Sequence, residues 1–378
     1  MIQIREGSRI SKLLYILTIA GEFPMCSISL LGNYQSYMRL IDKTRQECEF
    51  FDYETKERYT AKILTVVGRG RQKSLRLLSG VYPILEWLGI SDIFTSYYGD
   101  FHFTGKLTER ERMHRVAESY SMMLLAGVEI NPKKLPKFQR ERIQDIFIDK
   151  QCFYGSKLLK GVEKLEMTKN AYTRIIGAVF ANKHVYAVYN TRSQVMKWCG
   201  KGESKAQINL EEVSRMNAKI HRVKSAILFG HSIDIARQTM EEASRNKRLE
   251  LNFDSIYSHI HFIPLNQDGV RQLRILLKED WKEELLSVLF TEEMRSYDKG
   301  SFEYDAKWDG KIILSFFDGD LARLQRFQFG ASRTDYEYEV LCFPFQAEFL
   351  KSYLGDLAKI TTIDMEVIEN AMEIGGEN

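Results

Sequence analysis

Short motifs that identify several large enzyme classes are missing from this chain of 378 residues. There is no P-loop, no GxGxxG segment after a strand, and no GxSxG segment. Their absence argues against nucleotide hydrolysis, dinucleotide binding and α/β-hydrolase chemistry. We therefore predict no cofactor and expect a binding protein rather than an enzyme.

Membrane spans and paired cysteines are missing as well. The apolar runs are shorter than the ~20 residues that cross a bilayer, and the N-terminus has no signal-peptide pattern, so we expect a cytoplasmic protein with no membrane partner. Five cysteines lie far apart and form no CxxC pair. They are typical of reduced thiols, which argues against a zinc site or a disulfide framework, and no metal site is predicted.

The net positive charge of the chain is small and unevenly spread. The net formal charge of +3 is too small to indicate a polyanionic partner. The first 80 residues contain thirteen Lys or Arg and eight Asp or Glu, an excess of five positive charges, so the remainder carries −2. This modest asymmetry has the sign expected if the N-terminal part contacts nucleic acid.

Length and composition predict more than one domain. A chain of 378 residues is too long for one ordinary core, and 44% hydrophobic and 12% aromatic residues are enough to fill a folded interior. We predict an α+β or α/β protein in three parts. These are a winged helix-turn-helix in residues 1–95, a helical connector in 96–150 and a mixed-sheet α/β domain of unknown role in 151–378.

Three helices are predicted within residues 8–46. Ser8 is suited to cap the first, whose apolar residues recur at helical spacing up to Gly21. The apolar run after Pro24 is the second helix, and a turn follows it. The third, residues 34–46, has an apolar stripe with polar and basic side chains on its other faces, and we nominate it as the recognition helix. Its candidate DNA-binding residues are Gln35, Ser36, Arg39, Lys43 and Arg45.

A β-hairpin is predicted to follow as the wing. Residues 49–53 and 59–66 are β-prone, and the polar connector 54–58 has the length of a hairpin turn. Residues 68–73 combine glycines with basic side chains, which lets a chain approach a phosphate ridge closely, and they are predicted to open a helix through Leu75, Leu77 and Leu78. The candidate DNA contacts here are Lys56, Arg58, Arg69, Arg71 and Lys73.

The remaining segments are predicted from the same patterns. Helices are expected at 81–90 and 108–127, a connector at 92–105 and an exposed linker at 131–137. Beyond residue 150 a hairpin within 175–189 is followed by alternating strands and helices, which predicts a partly parallel sheet with covering helices.

One segment of the body has the form of a nuclease motif. Glu203-Ser204-Lys205 fits the ExK pattern of metal-dependent nucleases, in which an acidic pair binds Mg²⁺ and the lysine steadies the attacking water. The strand upstream ends in Asn190, where that mechanism needs an aspartate, and the segment also fits a solvated turn. Glu203 and Lys205 are therefore the weak catalytic candidates of the chain.

Two further pairs carry potential metal ligands. His259 and His261 would share one face of a strand, but no third ligand is visible at a sensible spacing, so a packed or exposed pair is the preferred interpretation. Asp318 and Asp320 could hold a divalent ion, although a strand-to-helix turn with a capping aspartate explains them without chemistry.

The wing region resembles a known family. A winged helix that runs into Leu64-Thr65-Val66-Val67-Gly68-Arg69-Gly70-Arg71, followed by a helical connector and an α/β body, is similar to the replication-relaxation family of plasmids and conjugative elements. The specific likeness covers about the first ninety residues. The resemblance implies a restriction-endonuclease-like body and an accessory protein that binds double-stranded DNA at an origin and helps to load a relaxase or replication initiator. Asn190 stands where that body would need an acidic metal ligand.

Three functions stay open at this point. The first is a DNA-binding accessory factor for replication or conjugative transfer of a mobile element. The second is a transcription regulator whose α/β body senses a ligand or forms a homodimer, and the third is a Mg²⁺-dependent nuclease. Binding to one asymmetric origin-like repeat would favour the accessory factor. A dimer with two recognition helices one DNA turn apart would favour the regulator. Metal-dependent cutting that is lost on Glu203→Ala would favour the nuclease.

Overall fold

A computed structural model describes ten ranges of the chain, namely 1–99, 103, 105–130, 151–160, 174–181, 184–196, 200–218, 220–244, 256–296 and 303–374. The predicted linker at 131–137 lies outside them. Within them, α-helices and mixed sheets form an α+β protein, as predicted. The chain divides into two compact units, Met1–Leu125 and Ala126–Asn378, and the division falls inside the segment predicted as a connector. Among the described helices, none is long and apolar enough to cross a bilayer.

The first unit contains five α-helices and six short strands among its described residues. Its α-helices are α1 (Arg9–Ala20), α2 (Tyr34–Thr44), α3 (Tyr82–Trp87), α4 (Ser91–Tyr98) and α5 (Leu107–Leu125). Its strands are β1 (Ile2–Ile4), β2 (Glu22–Pro24), β3 (Cys48–Asp52), β4 (Arg58–Ala61), β5 (Leu64–Val67) and β6 (Ser74–Leu77). A 3-10 helix, Met25–Leu31, lies between β2 and α2.

Two three-stranded sheets organise this unit. One has the order β1-β3-β4, with β1 parallel to β3 and β3 antiparallel to β4. The other has the order β2-β6-β5 and is antiparallel throughout. Strand β2, which follows α1 directly, therefore pairs with the last strand of a hairpin that comes after α2.

Helices α1 and α2 form where the sequence predicts them. Ser8 Oγ accepts a hydrogen bond from the Ser11 backbone N–H at 3.3 Å, and Gly21, at φ 80°, ends α1. Asn33 Oδ1 caps α2 by accepting from the Ser36 N–H at 3.0 Å. Helix α2 ends at Thr44, two residues before the predicted end, and the second predicted helix is of the 3-10 type.

The hairpin prediction needs correction. The single strand expected over residues 59–66 is wrong, because its residues belong to β4 and β5 in different sheets. Ile63 and Leu64 are both buried, so the alternation of a single strand breaks there. The helix predicted through Leu75, Leu77 and Leu78 is also wrong. Residues 74–77 form β6, in which Leu75 and Leu77 are buried and Arg76 between them lies on the other face.

The connector predicted at 92–105 contains a helix. Residues 91–98 form α4, whose Phe94 is buried and whose Tyr98 stacks against Phe103 with ring centroids 5.3 Å apart. Phe94 is therefore a core residue of the first unit, and Tyr98 and Phe103 pack against that core.

The second unit contains the larger sheets. Its helices are α6 (Ser156–Lys160), α7 (Lys201–Ala218), α8 (Ile233–Ser244), α9 (Gln267–Leu277), α10 (Trp281–Leu289), α11 (Leu321–Ala331), α12 (Ala347–Leu354) and α13 (Met365–Ala371). Its strands are β7 (Glu129–Ile130), β8 (Cys152–Gly155), β9 (Gly177–Ala181), β10 (His184–Arg192), β11 (Ser225–Gly230), β12 (His259–Pro264), β13 (Ala306–Trp308), β14 (Lys311–Ser315), β15 (Glu337–Cys342) and β16 (Lys359–Thr362).

These strands form two mixed sheets, which confirms the predicted partly parallel arrangement. The six-stranded sheet has the order β12-β11-β10-β9-β8-β7, in which β10, β11 and β12 are parallel and β9 is antiparallel to both neighbours. The four-stranded sheet has the order β13-β14-β15-β16, and its last three strands are parallel. One hydrophobic core includes Phe180 and Leu228 from the first sheet and Leu314 and Val340 from the second.

Gly269→Ala should destabilise the second unit. A Cβ at this position, in the first turn of α9, would lie 1.8 Å from the Pro264 carbonyl oxygen. Because a backbone atom cannot give way as a side chain does, we expect a loss of about 3 kcal/mol in the free energy of unfolding. Urea denaturation measures it. Gly105→Ala, where a Cβ meets nothing within 4 Å, is the control, and equal midpoints for the two variants would contradict the packing described.

Candidate nucleic-acid interface

A turn of basic residues joins β5 to β6. Within this basic turn, residues 68–73, the side chains of Arg69, Arg71 and Lys73 are exposed. The longer stretch 58–85 contains six Lys or Arg and no Asp or Glu. Across the described part of the chain, none of the three exposed side chains forms an ion pair with a carboxylate. Their charges are therefore available to an external anion.

Two glycines determine the shape of the basic turn. Gly68 has φ 83° and Gly70 has φ 56°, the left-handed region that favours glycine. A Cβ on Gly68 would lie 2.3 Å from the Gln72 carbonyl oxygen and 2.9 Å from Nη2 of Arg110. The basic turn thus folds tightly on itself and packs against a side chain of α5.

A buried carboxylate lies at the base of this hairpin. Glu22, in β2, has a fully buried side chain. From β6, Ser74 Oγ donates to it at 2.7 Å and Arg76 donates through two guanidinium nitrogens. From α5, Arg110 Nε lies 3.1 Å from both carboxylate oxygens, and His114 Nε2 lies 3.1 Å from Oε2. Strand β6 and helix α5 therefore meet at one buried negative charge.

Arg110 connects this carboxylate to the basic turn. Its Nη2 donates to the Gln72 carbonyl oxygen at 3.1 Å and to Ser74 Oγ at 2.8 Å. One guanidinium group thus bonds Glu22 on one side and the backbone of the basic turn on the other. Because a planar guanidinium presents its donors in a fixed geometry, it limits how far the turn moves relative to β2.

Glu22 is ionised at neutral pH. Burial raises the pKa of its carboxyl group, but hydrogen bonds from His114, Ser74 and Arg76 outweigh burial and lower the pKa to about 2. The carboxylate therefore compensates the positive charges of Arg76 and Arg110. The positive charges of the basic turn are not compensated by Glu22.

Helix α2 presents its candidate residues to solvent. Tyr37 and Ile41 are buried and hold the helix on the first unit. Among the candidates on the other faces, Ser36 is half-buried and four are exposed, namely Gln35, Arg39, Lys43 and Arg45. Two of these already have a local contact, since Arg45 Nη1 lies 3.6 Å from Asp42 and Lys43 Nζ donates to the Met1 carbonyl oxygen at 3.3 Å.

The other two basic candidates lie in a different sheet. Lys56, in the turn between β3 and β4, donates to the Tyr53 carbonyl oxygen at 2.6 Å and lies 4.2 Å from the centroid of its ring. Arg58 Nη1 lies 3.2 Å from Glu49 Oε1. Both side chains are exposed, but local contacts occupy their charges.

The nuclease candidates lie in the second unit. Glu203 is buried in the first turn of α7, and Arg174 Nη1 donates to its Oε1 at 3.1 Å. Lys205 is exposed on the same helix, so the segment is helical rather than a turn. Asn190 is buried in β10, where its Oδ1 accepts from the Arg192 N–H at 2.9 Å. Among the described residues, no group of potential metal ligands includes Glu203.

The structure brings together two pairs that the sequence left apart. His259 and His261 in β12 meet Asp318 and Asp320, which follow β14, and we call these four residues the His–Asp cluster. His259 Nδ1 lies 2.7 Å from Asp320 Oδ2, and His261 Nδ1 lies 3.7 Å from Asp318 Oδ2. The third ligand that was missing from the local sequence comes from a segment nearly sixty residues away.

The two carboxyl groups of the His–Asp cluster have pKa values shifted in opposite directions. Burial raises the pKa of Asp318. Burial acts in the same direction on Asp320, but the hydrogen bond from His259 and the backbone N–H of Ile260 outweigh it and hold its pKa below the usual range. Burial lowers the pKa of His261. The pKa values of the two carboxyl groups are therefore shifted in opposite directions by their surroundings.

Comparison with protein-family models, with curated proteins and with solved structures gives no match to this chain.

Sequence reasoning missed the cluster around Glu22. The signals were present but separate, because Glu22 is a lone acid in an apolar strand and Arg76 lies between two leucines. Arg110 and His114 are four residues apart and so share one face of α5. Only the pairing of β2 with β6 shows that these residues meet.

Glu22→Gln should lower the free energy of unfolding of the first unit and make that free energy depend less on pH in the acid range. Because the folded pKa of about 2 lies below the ordinary value of 4.5, the stabilisation is complete above pH 4.5 and is lost as the pH falls towards 2. This contribution is about 3 kcal/mol. Urea unfolding at pH 7 and pH 3, compared with the exposed Glu86→Gln, measures it. The same pH slope in wild type and Glu22→Gln would contradict this role.

Proposed function

We propose that the first unit is a winged helix-turn-helix that binds double-stranded DNA, with α2 in the major groove and the basic turn as the wing. The observation that carries the proposal is the basic turn itself. It holds three exposed cations that have no carboxylate partner among the described residues, on a hairpin bonded to Glu22. Uncompensated cations on a rigid projection suit a phosphate backbone, where each contact releases counterions.

The order of elements supports this assignment. Helix α1, strand β2, the 3-10 helix, helix α2 and the hairpin β5-β6 follow one another as the helices and strands of a winged helix do, with β3 and β4 inserted before the hairpin. The sheet order β2-β6-β5 agrees with it, because the strand after the first helix pairs with the last strand of the hairpin. We therefore move the proposed wing from residues 54–58 to residues 68–73.

Helix α2 suits the role of a recognition helix. It is anchored by Tyr37 and Ile41, so its opposite faces are free to enter a groove. Gln35 and Arg39 are exposed and offer the amide and guanidinium donors that pair with adenine and guanine edges.

For the whole chain we propose an accessory role in replication or conjugative transfer of a mobile element, with a relaxase or initiator as partner. This rests on the resemblance to the replication-relaxation family. The second unit is compatible with a restriction-endonuclease-like body, since three strands of alternating direction, β8 to β10, lead through α7 to the parallel strand β11.

A binding role for the second unit fits better than a cutting one. Strands β9 and β10 carry no Asp or Glu, and Glu203 is engaged with Arg174. A Mg²⁺-dependent nuclease needs a pair of acidic ligands at such a site. The regulator alternative would instead require a dimer that reads a palindrome.

Arg39→Ala and the double variant Arg69→Ala/Arg71→Ala should each weaken binding to duplex DNA. Each phosphate contact removed should lower the slope of log K against log salt by about one unit, whereas loss of a base contact weakens binding with less change in slope. Fluorescence anisotropy with a labelled duplex at several salt concentrations measures both quantities. We expect the double variant to change the slope more than Arg39→Ala.

The control for this experiment is Lys56→Ala/Arg58→Ala, which removes two exposed cations from the other hairpin. The proposal predicts that this pair leaves the salt slope close to that of wild type. If the two double variants lose equal affinity for DNA, the positive charge of the first unit attracts DNA irrespective of its position. The basic turn would then not be a wing.

A further inference from the structure

We propose that His261, Asp318 and Asp320 bind a divalent transition-metal ion in the second unit, with Zn²⁺ or Mn²⁺ suited to one imidazole and two carboxylates. This inference is independent of DNA binding by the first unit. It assigns a ligand to the His–Asp cluster, which the proposed function does not use.

The fold places the three ligands side by side. Strand β12 runs beside the turn that follows β14, and the Phe262 N–H donates to the Gly319 carbonyl oxygen at 2.9 Å. Gly319 has φ 66°, and a Cβ there would lie 2.5 Å from the Phe262 carbonyl oxygen. The turn is thus pressed against β12 at the position of His261.

The ligand atoms are close enough for one ion. One ligand atom from each of the three residues lies within 4.8 Å of the others, and His261 Nδ1 is 3.7 Å from Asp318 Oδ2. Nitrogen and oxygen ligands bind zinc at about 2.0–2.2 Å, so two of them on one ion lie about 3.4 Å apart at the tetrahedral angle. The 3.7 Å between His261 Nδ1 and Asp318 Oδ2 is within a few tenths of an ångström of this distance.

Neighbouring groups hold both carboxylates in position. Asp320 Oδ1 accepts from the Ile260 and Arg323 backbone N–H groups at 3.0 and 3.2 Å. Asp318 Oδ1 accepts from the Asp320 N–H at 3.2 Å, which leaves Oδ2 towards His261. Such outer hydrogen bonds orient metal ligands and are part of an effective site.

His259 contacts the proposed ligand Asp320 and is the most exposed residue of the His–Asp cluster. Its Nδ1 lies 2.7 Å from Asp320 Oδ2, in the way that outer histidines orient carboxylate ligands. Its side chain is 31% exposed, whereas those of the three proposed ligands are almost fully buried. Of the four residues of the His–Asp cluster, His259 is therefore the one in contact with solvent.

Charge also favours a cation. In the part of the chain that the structure describes, three buried aspartates lie in this region against one buried guanidinium, that of Arg323, which is paired with Asp305 and donates to the Ser315 carbonyl oxygen. Among the described residues, no Lys or Arg forms an ion pair with Asp318 or Asp320. Buried carboxylates are normally paired or bind a metal, because an uncompensated charge is costly.

A second observation at the same turn points the same way. Gln272 is buried, and its Nε2 donates to the Phe317 carbonyl oxygen at 3.1 Å, next to Asp318. Its Oε1 has no hydrogen-bond donor in the described part of the chain. This buried acceptor belongs to a side chain that is bonded to the turn carrying the two aspartates.

Metal binding by the full, tag-free chain tests the proposal. After treatment with EDTA, Co²⁺ is titrated in and followed by its absorption spectrum, and Zn²⁺ uptake is counted by elemental analysis. We expect about one ion per chain and binding weakened at least 100-fold, as an order of magnitude, in Asp318→Asn. The control His221→Gln/Asp356→Asn removes one exposed histidine and one exposed aspartate from elsewhere and should bind as wild type does.

X-ray absorption of the Zn²⁺-loaded wild type identifies the ligands even if Asp318→Asn does not fold. The proposal predicts nitrogen and oxygen at about 2.0–2.2 Å and no sulfur at about 2.3 Å. Three results would overturn it: no bound ion in wild type, sulfur among the ligands, or equal affinity in wild type and a folded Asp318→Asn. In the first case the histidines and aspartates share protons instead of an ion.

Discussion

The ion pairs of Glu22 with Arg76 and Arg110 are the constraint on which the first unit depends. A fully buried carboxylate is costly unless cations and hydrogen bonds surround it, and here two guanidinium groups, a hydroxyl and an imidazole do so. These donors come from β6 and α5, far apart in sequence. Their bonds to Glu22 hold β2, β6 and α5 together and supply the stabilisation of about 3 kcal/mol that the low pKa of Glu22 implies.

The same constraint separates two kinds of basic residue. Arg76 and Arg110 are largely buried, and their charges are matched by Glu22. Arg69, Arg71 and Lys73 are exposed in the basic turn, with no carboxylate partner among the described residues. In sequence, residues 58–85 are one basic stretch, and only the fold distinguishes the cations that support the turn from those that face solvent. The proposal that the exposed cations of the basic turn contact phosphate, and do not serve solubility alone, rests on this division.

The local elements could largely be predicted from the sequence, because their causes are local. Ser8 and Gly21 bound α1, Asn33 caps α2, and the alternation of strands and helices beyond residue 150 predicts a partly parallel sheet. The choice between two hairpins could not be predicted. Residues 59–66 are β-prone throughout, and the decisive pairing of Glu22 with Arg76 spans more than fifty residues.

The His–Asp cluster also depends on a contact between segments that are far apart in sequence. Each pair was visible in sequence, and each had an ordinary structural explanation on its own. Their meeting depends on β12 lying beside the turn after β14, a contact between separate sheets that no local pattern encodes. Sites built from distant segments therefore cannot be predicted from local sequence patterns.

Amide hydrogen exchange of the full chain, with and without a duplex of about 20 base pairs, tests the central claim most directly. DNA binding through α2 and the basic turn predicts slower exchange in residues 34–44 and 68–73, with little change in the other hairpin at 53–57. Protection confined to residues 53–57, or no protection anywhere in the first unit, would contradict the account.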